Sequence, residues 1–466
     1  MDSTALSLYR ASFCTQEGQR QAFDALFQRY IVGDELGQVR AALDTVVSNG
    51  NMPASAVAFV YSFLFPSTQF NDDDDSELML AFCAALLVQD FRGDVIKRQR
   101  LNWDRHVKSL RCQGLFRRFY RMSYEAFCIV LELLRPALSI NATKSMNRTS
   151  NQDPIGPELI LHCTLRFLAG ASYLDVMVHT GISKPAFYTC VYKGLDAICG
   201  CQDLDLKMPR TLTEFHDAAF AFQQMSLDGR LNGCIGALDG WLCRIKVPSQ
   251  SETMNVSSYF SGHYQCYGVN VQATCDANCR FTSISILCPG GSGDSKAFAA
   301  SSLQQFVSTL PRGFYVVADN AYTLSDTLLI PYSGVDKADP SKDVFNFYLS
   351  QLRIRIEQAL GFLVNSWRIF KRPLEVKLFR VGHIVQACAR LHNFCINNRD
   401  EKIPIISQQD PDHYSSNFEE FLPPAQTLTT SRARRCAVRE AIRAQLAADG
   451  CRRPQFNLDR NSARYQ

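Results

Sequence analysis

Gly233-Cys-Ile-Gly-Ala-Leu-Asp239-Gly-Trp241 places a single carboxylate at the end of a short apolar run. Cys234 to Leu238 reads as a buried strand. A carboxylate at the end of such a strand is costly unless an opposite charge sits beside it. Gly240 then predicts a tight turn or the close approach of a ligand. Gly313-Phe-Tyr-Val-Val-Ala-Asp319-Asn-Ala-Tyr322 repeats the pattern, a β-rich run ending in Asp. Glu357 lies in a helix-period segment, Phe347 to Gly361, which Gly361 is expected to close. Two strand-end Asp and one helical Glu are hard oxygen donors of the kind that Mg²⁺ or Mn²⁺ takes. The competing reading is three structural acids. Asp294, the first residue of a helix after the Gly-rich loop Pro289 to Gly293, is a rival for second place, read more simply as an N-cap or auxiliary group.

The elements around these acids fall into a recognisable order. Cys234 to Asp239 is predicted as a first strand, Tyr264 to Thr274 as a second, Arg280 to Cys288 as a third and Phe314 to Ala318 as a fourth. A helix from Asp294 to Phe306 precedes the fourth strand. A looser insertion containing Pro331 and Pro340 follows it, then the Glu357 helix and another from His383 to Ile396. Strands, helix, strand and helices in this order match a ribonuclease H-like layout, in which the first and fourth strands lie side by side. Asp239 and Asp319 would then converge, with Glu357 across the same pocket. The expected class is α/β: a ribonuclease H-like catalytic domain over residues 230–400, a mixed sheet with flanking helices, preceded by an all-α region.

That region divides into a helical stretch of unknown role at 1–95, a basic helical segment at 98–140 and three short helices at 155–200. Ser123 is an expected N-cap for a helix ended by Pro136, and Asn141 to Pro157 reads as a linker. Within 155–200, Ser172 and Ser183 are expected N-caps and Thr180-Gly-Ile-Ser183 a turn, the pattern of a helix-turn-helix. Its third helix would offer Lys184, Tyr188 and Lys193 to DNA. The run Asn71 to Ser76, with four consecutive Asp, reads as a solvated loop.

The 466 residues are 46% hydrophobic and 20% charged, ordinary for a globular protein. The formal charge of +4 excludes little, but the positive residues cluster in Arg98 to Arg121, Lys371 to Arg380 and Arg432 to Arg464 of the tail 401–466, and basic patches favour polyanions. The 18 Cys form no paired CxxC units, which argues against zinc and predicts buried thiols in a reducing compartment. The start lacks a basic region followed by an apolar core, and no apolar run is long enough to span a bilayer, so neither a secretory leader nor a membrane is expected.

Six motifs in order resemble the PIF/Harbinger-type DDE transposases and their domesticated nuclease relatives: Ala-Leu-Asp239-Gly-Trp, Pro289-Gly-Gly-Ser-Gly-Asp294-Ser, Ala-Asp319-Asn-Ala-Tyr, Phe345-Asn-Phe-Tyr, Arg355-Ile-Glu357-Gln-Ala-Leu-Gly and Leu391-His-Asn-Phe. Leu165 to Tyr173 and Gly181-Ile-Ser-Lys fit the family's helix-turn-helix, and the likeness covers about 100 to 460. The resemblance implies that Asp239, Asp319 and Glu357 are the catalytic, metal-holding acids. It implies two Mg²⁺ or Mn²⁺ ions, Asp239 bridging both, and successive cutting and joining of DNA strands. It implies double-stranded DNA as partner, both the element's terminal repeats and its target, a nuclear location, a Myb-like accessory protein and a homo-oligomer. Arg353, Arg355, Arg368, Lys371 and Arg372 are the expected phosphate contacts on the flank of the site. Trp241 reads as core, and His383 and His392 as packing or hydrogen-bonding residues. The alternative is a domesticated protein that binds DNA or a partner without cutting.

Overall fold

The computed structural model describes residues 99–139, 154–398 (without 335, 337 and 338) and 436–454. The expectations for residues 1–95, the Asp-rich run, most of the 141–157 linker and most of the tail lie outside the described residues. The basic segment forms α1 (Trp103–Cys112), α2 (Phe116–Tyr120) and α3 (Tyr124–Leu138). The Ser123 side chain accepts from Ala126 N and caps α3. Pro136 does not end α3 at once; it sits in the last turn, where its missing amide forfeits one helical bond close to the end.

Next come α4 (Pro157–Leu168), α5 (Tyr173–Thr180) and α6 (Lys184–Gly200). Ser172 and Ser183 cap α5 and α6. Gly181, at φ +65°, makes the turn between them; a side chain there would also strike the Gln99 carbonyl, 1.9 Å from its Cβ. Phe187, Val191, Leu195 and Ile198 give α6 one buried face. Helix α7 (Leu212–Gln223), opened by a Thr211–Glu214 capping box, leads into the sheet.

Strands β1 (Cys234–Arg244), β2 (Phe260–Ser261), β3 (Cys266–Cys275), β4 (Phe281–Pro289), β5 (Tyr315–Val317) and β6 (Leu328–Leu329) form one mixed sheet in the order β2-β3-β1-β5-β6, with β4 also on β3. The β1–β3 and β3–β4 pairs are antiparallel, and β1–β5 and β5–β6 parallel. This fits the ribonuclease H-like layout. Between β4 and β5 the expected single helix is two, α8 (Asp294–Ala299) and α9 (Ser302–Ser308). Helix α10 (Pro340–Ser366) is longer than expected at both ends. Pro340 opens it at N1, where no amide donor is needed, and Gly361 is bridged because Leu360, Leu363 and Val364 are buried around it. Helix α11 (Leu378–Asn397) follows, and α12 (Ala437–Ala448) closes the described chain.

Side-chain alternation gives each sheet face its own core. Ala237, Trp241, Val271, Ala273 and Val317 belong to the core containing α10 and α11. Leu238, Val316, Ala318 and Tyr322 belong to a second core with Phe215 of α7, Phe298 of α8 and Leu303 of α9. Trp241 meets Phe370 edge-on at 5.0 Å and is core. β1 does not turn after Asp239. It runs five residues further, and Gly240 pairs with Gln272 within the ladder. What Gly240 permits is close approach: a Cβ there would lie 2.1 Å from Asp294 Oδ1 and 2.8 Å from Gln272 Nε2. Gly240→Ala is therefore expected to destabilise the fold by about 1–3 kcal/mol through overpacking, read as a lowered urea midpoint with an unchanged slope.

Candidate functional site

Asp239 lies in mid-β1 opposite Ala273, on the face covered by α10. It is only 8% exposed. Its Oδ1 accepts from Gly240 N at 2.8 Å. Asp319 stands two residues beyond β5, the parallel neighbour of β1, and continuing alternation from Val317 and Ala318 turns it to the same face. Its Oδ1 accepts from Ala321 N at 2.9 Å, an Asx turn that fixes the carboxylate at the strand's mouth. Glu357 sits on α10 beside the buried Ile356 and Leu360, one turn after Arg353, whose Nη1 holds its Oε1 at 2.5 Å.

These groups feel one another. Burial, then the Asp319 carboxylate, pushes the Asp239 carboxyl well above the usual range; Arg353 opposes the shift and Glu357 adds to it. Asp319 is also raised, first by burial, against the Ala321 amide and Arg353 and with Asp294 and Glu357. Burial, and then Asp294, Asp239, Cys266 and Asp319, raise the Tyr264 hydroxyl. The donors are all carboxylate oxygens, the chemistry that a hard divalent cation takes. Among the described residues no three His, Cys, Asp or Glu side chains stand close enough together to hold a metal ion. Glu357 is turned to Arg353 instead, so a cation would have to draw it away.

Asp294 occupies another place. It is N1 of α8 rather than its cap, and its Oδ1 accepts from Asn270 Nδ2 at 2.9 Å and Gln272 Nε2 at 3.1 Å. Both amides lie on the face of β3 that pairs with Gly240 and Leu242, behind Asp239. Tyr322 belongs to the same group through its hydroxyl bond to Gln272 Oε1 at 2.7 Å. Sequence reasoning passed over Asn270, Gln272 and Tyr264. The available signal was a polar residue at every second position of an otherwise buried strand, Asn270, Gln272 and Thr274.

The expected DNA contacts separate. Arg368, Lys371 and Arg372 are exposed, on a segment that runs alongside the end of β1 through the Ile245–Leu374 bridge. Arg353 is in the acidic pocket. Arg355 points inward, its guanidinium on Met225 Sδ at 2.9 Å and Gln358 Oε1 at 3.2 Å, so it does not face phosphate. α10 is covered on more than one side, and two residues along it lead to another packed face. On α6, Lys184 is exposed over the Tyr173 ring at 4.9 Å, and Tyr188 lies between Tyr173 and Tyr192. Lys193 donates to Ser139 O at 2.8 Å. His392 Nε2 donates to Cys279 O at 2.8 Å, and His383 lies by Phe379 O and Asp196. The described cysteines are free thiols. No helix among the described residues is long and apolar enough to cross a membrane.

Residues 238–393 match a family described as a DDE superfamily endonuclease. The match begins one residue before Asp239 and includes Asp294, Asp319 and Glu357. No curated protein and no solved structure matches the chain.

The electrostatics yield a sign-determined expectation. A carboxyl raised in the folded state contributes most below its unfolded pKa, and that contribution is lost as pH rises through the folded value. Metal-free protein should therefore lose stability as Asp239 and Asp319 ionise. Asp239→Asn should raise the neutral-pH melting temperature, about 2–4 °C for each kcal/mol relieved, and flatten its pH dependence. A lower melting temperature at neutral pH would show Asp239 to be a stabilising structural acid.

Proposed function

We propose that this protein is a metal-dependent DNA endonuclease and strand transferase of the PIF/Harbinger type, with Asp239, Asp319 and Glu357 as its catalytic acids. What supports the reading is that Asp239 on β1, Asp319 just past its parallel neighbour β5 and Glu357 on α10 are near enough for Asp319 and Glu357 both to raise the Asp239 carboxyl, within a stretch that matches a DDE superfamily endonuclease. The three acids would hold two Mg²⁺ or Mn²⁺ ions. Bound there, the ions would supply Lewis-acid charge to the attacking oxygen and to the leaving oxygen of a phosphodiester.

The chain's own residues do the rest. Asp239, buried and fixed by the Gly240 amide, presents a pre-oriented carboxyl whose ionised form a bound cation would favour. Arg353 pairs with Glu357, and would be free to meet a phosphate were a cation to take that carboxylate. Arg368, Lys371 and Arg372, exposed beside the end of β1, would track the DNA backbone. Lys184 and Tyr188 on α6 supply a second contact, the tyrosine in an aromatic row suited to stacking or to a partner surface. Double-stranded DNA as substrate carries with it a nuclear site of action and, in this family type, an accessory DNA-binding partner.

Nicking of a labelled duplex by the purified full chain tests the reading, with Mg²⁺, Mn²⁺ or chelator. Asp239→Ala, Asp319→Asn and Glu357→Ala should each lower the metal-dependent rate by about 10³-fold or more, with folding and DNA affinity retained. Wild-type cutting by Asp319→Asn, with loss in Asp294→Asn, would transfer the second role to Asp294. DNA binding without cutting in any metal would leave a binder.

A further inference from the structure

We propose that Asp294, Asn270, Gln272 and Tyr322 form a positioning network that sets the separation of the Asp239 and Asp319 carboxylates from behind the sheet. The inference rests on the reading of those two acids as one metal site. The four residues touch neither metal nor DNA in this account; they act through the backbone.

The direction of every bond in the network is forced. A carboxylate only accepts, so Asp294 Oδ1 obliges both amides that face it to present their NH₂ groups. Asn270 Nδ2 also donates to Ser292 O at 3.0 Å, and Gln272 Nε2 to Asn270 Oδ1 at 2.7 Å. Gln272 is left with its Oε1 outward, and this oxygen takes the Tyr322 hydroxyl at 2.7 Å. One half-buried carboxylate thus orients a chain of three side chains and fixes where Tyr322 must sit. Asn270, Gln272 and Tyr322 are all buried, so water does not compete for the bonds. Phe298 of α8 holds the Tyr322 ring edge-on at 5.7 Å.

The two ends of the network reach the two acids. At one end, Asp294 and Gln272 fill the space that Gly240 leaves open, directly behind the residue after Asp239. At the other, Tyr322 closes the turn that begins at Asp319, with its amide directed to the Asp319 carbonyl at 3.5 Å. Neighbouring parallel strands fix the Asp239 side of the pocket, but Asp319 lies beyond the last paired residue of β5. The network ties that unpaired turn to β3, and through β3 to β1.

Mn²⁺ affinity of the full chain by calorimetry tests this, together with the Mg²⁺ concentration that half-activates nicking. Tyr322→Phe keeps the ring and removes the one hydroxyl; Asp294→Asn keeps the shape and removes the orienting charge. Each is expected to weaken Mn²⁺ binding about tenfold and to raise the half-activating Mg²⁺ concentration by a similar factor, with DNA affinity unchanged. Should Tyr322→Phe lose its fold, Asp294→Asn carries the comparison. A folded variant with wild-type Mn²⁺ affinity overturns the positioning role. Asp239→Asn is the control: wild-type Mn²⁺ affinity there overturns the metal reading itself, and the network's role with it.

Discussion

Asp239 is buried in the middle of a strand with a second carboxylate facing it across the parallel neighbour. Desolvation and like charge both oppose its ionisation. A carboxylate placed for stability alone would sit beside a cation, yet the nearby Arg353 is bonded to Glu357. The surrounding structure is what makes the arrangement persist. β1 is flanked by β3 on one side and β5 on the other and sandwiched between two apolar cores, so the backbone cannot move Asp239 out to water. Destabilised acids gathered at one place are the usual sign of a site that serves function at the expense of stability.

The two faces of the sheet divide the labour. The α10 face carries Asp239, Asp319 and Glu357, the last turned to Arg353. The opposite face carries Asp294 with its amide partners and the apolar contacts of α7, α8 and α9. The alternation of a strand makes this possible: consecutive residues Asp239 and Gly240 serve opposite sides, one offering a carboxylate and the other empty space for a second one. Helix α12 and the residues after it brace the start of α10: Arg443 donates to Ser341 Oγ at 2.8 Å and Arg453 pairs with Asp343 at 2.9 Å, while Arg439 and Glu440 hold the Tyr332 ring and hydroxyl ahead of the helix. The helix that carries Glu357 is thereby anchored near its start as well as through its core.

Much of this was legible in residue order. Apolar runs ending in Asp239 and Asp319 give strands, and Ser123, Ser172 and Ser183 mark helix starts because their side chains satisfy amides that nothing local can. The misreadings share a cause: local signals were overruled by packing. Gly240 reads as a turn, but the β1–β3 ladder continues through it. Pro340 reads as loop, but at N1 it begins α10, and Gly361 does not stop a helix buried on several sides. Asp294 reads as a cap because its cross-strand partners, Asn270 and Gln272, are set by register, which no single stretch of sequence encodes. Arg355 reads as a surface cation because periodicity assigns it a different face from Glu357 without telling that this face is covered.

The most direct test of the central claim, that the three acids form one metal site, is anomalous diffraction from crystals of the full chain grown with Mn²⁺. The account predicts an anomalous peak between Asp239 and Asp319, with Glu357 turned away from Arg353 to join it. Mn²⁺ bound elsewhere, or a structure in which Arg353 still holds Glu357 and no peak lies near Asp239, would contradict it.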